Sequence, residues 1–153
     1  MGWVDLGGAL FVSVKEDRKH VMIKASIILV DDHVWIRKAL RRIIQEDPTL
    51  QVIHEARDGV ELLGLLECCA PDIVILDTSM PRLGGLETAE IIKQRYPLIK
   101  IMILTMHCEK NYFRKAKGIG VDGYMLKEEA ETDLNYAIKT VLQGNTYTSP
   151  LIS

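Results

Sequence analysis

From residue 26 onward the chain alternates short, strongly apolar runs with segments of helical period, and this rhythm leaves few folds open. "SIILV" (26–30), "QVIHEA" (51–56), "DIVILD" (72–77), "KIMILT" (100–105) and "DGYML" (122–126) read as strands. Between them, 34–46, 59–69, 85–96, 110–118 and 130–144 read as helices. The first of these carries Ile36, Leu40, Ile43 and Ile44 on one face, the second Val60, Leu63 and Leu66, and the last Leu134, Ala137, Ile138, Val141 and Leu142. Asp47-Pro48 and Pro97 supply the stops. Strands that are nearly unbroken Ile, Val and Leu are buried on both faces, which points to a parallel sheet covered by helices on either side.

Five such units predict a flavodoxin-like, doubly wound α/β fold: a five-stranded parallel sheet in the order 2-1-3-4-5 with five helices. In that topology ligands bind outside the carboxyl ends of strands one and three. Strand one ends on Asp31-Asp32 and strand three on Asp77. Singly, each acid could cap a helix or start a turn. Together they repel: two carboxylates ~4 Å apart oppose each other by about 4 kcal/mol at an effective dielectric near 20. A hard divalent cation relieves this, and Mg²⁺ favours oxygen ligands and phosphate partners. Strand four ends on Thr105, a hydroxyl donor, and strand five runs into Lys127, a fixed positive charge. Phosphoryl chemistry follows from the set.

Bulk properties exclude other classes. The 153 residues suit one domain, and a net charge of −2 offers no basic footprint for nucleic acid. No apolar run approaches the ~20 residues of a membrane span. Cys68, Cys69 and Cys108 lack zinc-type spacing and read as reduced thiols of a cytoplasmic protein. "GALFVSV" is too short for a signal-peptide core, and "KEDRKH" follows it where a cleavage site would stand.

The motifs "ILVDDH", "DIVILDTSMPRLGGLE", "ILT" and "DGYMLK" resemble the receiver domain of bacterial two-component response regulators over residues 26–143. The resemblance is to the LuxR/NarL-type subclass, since Glu-Glu rather than proline follows Lys127 and "GNTYTSP" follows the last helix. It implies that Asp77 accepts a phosphoryl group from a sensor histidine kinase. It further implies that Asp32 binds Mg²⁺ directly, Asp31 through water, and Asp77 and the Ser79 backbone carbonyl complete the protein ligands. Thr105 and Lys127 would hold the phosphoryl oxygens, and Tyr124 would be the switch aromatic that fills the space Thr105 vacates.

Some residues depart from the pattern or leave choices open. Met106 stands where the family often has a small residue, and His107 reads as a solvated loop residue with hydrolysis as the alternative role. Trp35 lies off the core stripe of its helix, so it is either exposed, as at a homodimer interface, or covered by the N-terminal segment through Leu10 or Phe11. Dimerisation after phosphorylation is expected through the first and last helices or through the strand-four-to-helix-five face. Residues 1–25 form an extension, a leader or one extra strand, and residues 144–153 start a linker. Contact with DNA is expected only through a helix-turn-helix domain that this chain does not include, so the chain is a switch and not an enzyme. A haloacid-dehalogenase-type phosphatase also ends its first strand on a nucleophilic aspartate, but wants an acid two residues on, where Ser79 stands. A receiver-like module that has lost phosphorylation would lack an acid or the lysine.

Overall fold

The computed structural model describes residues 23–152. Its strands are β1 (Ala25–Val30), β2 (Leu50–Ala56), β3 (Ile73–Asp77), β4 (Lys100–Thr105), β5 (Gly123–Leu126) and β6 (Tyr147–Thr148). Its helices are α1 (Val34–Gln45), α2 (Gly59–Leu66), α3 (Gly85–Arg95), α4 (Lys110–Ile119) and α5 (Ala130–Leu142), with a single 3₁₀ turn at Lys127–Glu129. All strands pair in parallel in the order β2-β1-β3-β4-β5-β6. The doubly wound order is as expected, but the sheet has six strands and not five.

The sixth strand lies in the segment read as a linker. It is only two residues long and follows a helix, so no apolar run announces it. Backbone pairing makes it: Tyr147 N–H donates to the Asp122 carbonyl at 3.0 Å and Ser149 N–H to the Tyr124 carbonyl at 2.9 Å. Ser149 is buried and its hydroxyl bonds the Glu129 carboxylate. Ile152 then packs against the core beside β5.

Burial divides the interior in two. On one face Ile27, Leu29, Ile73 and Ile75 meet Leu40 and Ile44 of α1 and Leu134, Ala137, Ile138 and Val141 of α5. On the other, Ile28, Val74, Leu76 and Ile103 meet Leu62 and Leu66 of α2, Ala89 and Ile92 of α3 and Ala116 of α4. Every residue of β3 is buried, each aliphatic side chain contributing about 1.5–3 kcal/mol. The inward face of α2 is Leu62 and Leu66 with Leu63 partly buried beside them; of the expected stripe only Val60, 47% exposed, faces out. Asp58 caps the helix, its side chain accepting from Glu61 N–H at 2.9 Å, which places Val60 in the first turn.

Two backbone features shape the loop after β3. Leu83 N–H donates to the Pro81 carbonyl at 2.7 Å across Arg82, whose φ is 65°, a γ-turn of the rare positive-φ kind. Arg82 is held there by its ion pair to the buried Asp58 at 2.6 Å. At the start of α3, a Cβ on Gly85 would lie 2.0 Å from the Asp77 carbonyl oxygen, so only glycine lets the helix approach the strand end this closely.

Candidate phosphoryl-transfer site

The carboxyl ends of β1, β3 and β5 converge as the topology requires. Lys127, just past β5, places its Nζ 2.8 Å from Asp31 Oδ2 and 3.1 Å from Asp77 Oδ1. Asp31 and Asp77 are 2% and 4% exposed, so one ammonium serves two buried carboxylates. Burial holds the Asp77 carboxyl above its ordinary range, and the charge of Asp31 adds to this; Lys127 and the Ser79 N–H only partly offset them. Burial opposes the charge on Lys127, yet the hydrogen bond to Asp31 and the charge of Asp77 hold it above the usual lysine range. The cluster therefore carries surplus negative charge.

Asp32 sits at the rim with its side chain 31% exposed, where its Oδ1 lies 3.1 Å from His33 Nδ1. Ligand atoms of Asp31, Asp32 and His33 all lie within 4.8 Å of one another. Asp77 is not one of that group, and its carboxylate pairs with Lys127. Oxygen donors on a buried, under-neutralised anionic cluster suit a hard divalent cation, so the donor set fits Mg²⁺.

Thr105, fully buried at the end of β4, places Oγ1 2.8 Å from Thr78 Oγ1 and accepts from His107 N–H at 3.0 Å. Tyr124 is 1% exposed, and its hydroxyl donates to the His107 carbonyl at 3.3 Å. Its ring meets Phe113 edge-on at 5.4 Å, and burial pushes its phenol up to about 12. Its strand is not an edge, since β6 covers β5. His107 is no free solvated side chain: Nε2 lies 3.2 Å from Ser79 Oγ, Nδ1 3.3 Å from Glu109, and the ring stacks on Tyr112 at 4.8 Å. The loops after β3 and β4 are thereby tied across the mouth of the cleft.

Reading the sequence missed three contributors. Thr78 is the hydroxyl partner of Thr105. Arg82 fixes the γ-turn. Arg37, 8% exposed on α1, donates from Nη1 to the Asp31 carbonyl at 2.5 Å. A signal for Arg37 exists: it stands three residues before Leu40, on the inward face.

A family model described as the response regulator receiver domain matches residues 27–139. The chain belongs to that family. Receiver domains are phosphorylation-dependent switch modules, and this one is of the LuxR/NarL type. It is 33% identical over 130 residues to the transcriptional regulatory protein DegU of Brevibacillus brevis, covering 85% of this chain and 55% of that protein. The chain thus spans little more than half of that relative. A LuxR-family response regulator from Aurantimonas superposes with a TM-score of 0.81 at 37% identity, covering 84% of this chain and 92% of that one. The isolated receiver domain of RcsB from Salmonella enterica, solved with the phosphomimetic BeF₃⁻, gives 0.79 at 25% identity, covering 84% and 96%. No helix among the described residues of this receiver is long and apolar enough to cross a membrane.

Proposed function

We propose that Asp77 is the phosphoacceptor and that the receiver takes its phosphoryl group from a phosphohistidine of a sensor histidine kinase. A carboxylate oxygen of Asp77 attacks phosphorus, the P–N bond breaks, and its electron pair returns to the imidazole of the donor. Catalysis here is positioning and charge neutralisation. Lys127, already at the acceptor carboxylate, moves its charge onto the transferred oxygens, and Thr105 exchanges Thr78 for one of them. Asp32, Asp77 and the Ser79 carbonyl would hold Mg²⁺, with Asp31 behind a water, and the ion supplies positive charge to the phosphoryl oxygens when bound. Tyr124, inward beside Thr105, is the aromatic whose packing would respond when Thr105 turns to the transferred oxygens.

The observation that carries the reading is the buried Asp31–Lys127–Asp77 cluster, whose acceptor carboxylate is under-neutralised. An apolar groove of about 600 Å³ beside Lys127, lined by Trp35, Ile36, Ile43 and Ala130, runs along the α1/α5 face. DegU is a transcriptional regulator by name, and the output proposed here is likewise transcription, through a DNA-binding domain outside this chain. Trp35, 69% exposed, supports a homodimer through α1 and α5; its covering by Leu10 or Phe11 concerns residues outside those described. We place the protein in the cytoplasm, where its kinase would meet it.

Intact-mass measurement after incubation with acetyl phosphate tests the acceptor. Wild type should gain one phosphoryl group with Mg²⁺ and none with EDTA, and Asp77→Asn should gain none. Rapid multiple turnover without a lasting adduct would favour a phosphatase, and an adduct surviving in Asp77→Asn would move the acceptor elsewhere.

A further inference from the structure

Arg37 is a buried cation that the phosphoryl chemistry does not use. Its Nη1 bonds the Asp31 carbonyl at 2.5 Å, at the turn where β1 delivers Asp31 and Asp32 to the cleft. Its Nε bonds Glu55 Oε1 at 2.9 Å, while Arg41 holds the other oxygen of Glu55 from its own Nε at 2.8 Å. Glu55 reaches this position only through an irregularity in β2. Val52 faces the α1/α5 side of the sheet opposite Ile27, and Glu55 stands opposite Leu29 on the same side. Residues three apart on a regular strand point to opposite faces. The register shift between Ile27 and Ile28 inserts the extra residue that turns Glu55 back toward α1. Bulges beside active sites commonly re-aim a side chain in this way.

We infer that Arg37, bracketed by Glu55, is a positioning residue for the cation site: it fixes the backbone turn that presents Asp31 and Asp32. The inference rests on the proposed role of Asp32 in Mg²⁺ binding. Outer partners that orient metal ligands change affinity by roughly 10–100-fold when removed. Charge and geometry predict opposite signs here. Removing a nearby positive charge should tighten binding of a divalent cation, whereas loosening the turn should weaken it.

The test is Mg²⁺ titration of the full chain in a Trp3→Phe background, leaving Trp35 as the only tryptophan. Its ring lies 6.0 Å from that of His33, which touches both acids of the site. Arg37→Gln should raise the Mg²⁺ dissociation constant about tenfold or more. Arg37→Lys keeps the charge but cannot fork between two acceptors, so it should weaken binding comparably. Arg41→Ala, which loses a bond to the same Glu55 without touching Asp31, should stay within about twofold of wild type, well short of the ~10-fold loss expected when a ligand-orienting partner goes. Should Arg37→Gln fail to fold, the charge-preserving Arg37→Lys carries the test, with weakened binding again expected. Unchanged or tighter binding in folded Arg37→Gln, or full affinity in Arg37→Lys, would overturn the inference. Loss of the underlying assignment would show elsewhere, as wild-type affinity retained in Asp32→Ala.

Discussion

Replacing Asp77 by asparagine should make this receiver more stable without Mg²⁺, even as it abolishes phosphoryl acceptance. The two oxygens that share Lys127, at 2.8 and 3.1 Å, are no more than about 6 Å apart. At an effective dielectric near 20 their repulsion is at least about 3 kcal/mol, against about 5 kcal/mol of attraction between Lys127 and Asp77. Desolvation of a buried carboxylate costs several kcal/mol more. Burial and repulsion together outweigh the lysine, since the Asp77 carboxyl is held above its ordinary value of 3.8. Asparagine keeps the shape and removes the charge. Discounted for solvent at the mouth of the cleft, the gain should be about 1–2 kcal/mol, or ~3–8 °C in Tm.

The sign of the pH dependence is fixed by the direction of the shift. A raised folded-state value means that the fold binds the proton more tightly than the unfolded chain does. The wild-type penalty is therefore absent below about pH 3.8, grows as pH rises toward the folded value, and is complete above it. Paired thermal melts from pH 3.5 to 8 in EDTA should show the Asn variant's advantage appearing over that window. Added Mg²⁺ should then stabilise wild type more than the variant. An Asp77→Asn protein that is less stable than wild type at pH 7.5, or a difference that ignores pH, would refute the reasoning.

Two further outcomes follow from the same geometry. Gly85→Ala should cost at least ~2 kcal/mol by urea unfolding and slow acetyl phosphate labelling, because the new methyl meets the Asp77 carbonyl and pushes α3 or Asp77 out of place. Tyr124→Phe should lose only about 0.5–1 kcal/mol, given the long bond to His107, and should remove from the ultraviolet titration the phenol that ionises at about 12.

The strand-helix rhythm was legible because strands buried on both faces must be apolar throughout, and "SIILV", "DIVIL" and "KIMIL" could be little else. Acids at the ends of strands one and three then located the site, since a parallel doubly wound sheet opens its crevice at the carboxyl ends of its strands. Other features were decided by the tertiary structure. Lys127 meets Asp31 across 96 residues of chain, an encounter no local pattern encodes. β6 exists because β5 offered an unpaired edge, not because Tyr147 and Thr148 form a strand by themselves. Tyr124 is buried because that added strand and Phe113 enclose it. Glu55 faces Arg37 because one extra residue in β2 shifts the alternation of faces, and a period of two read from sequence carries no mark of where the count slips.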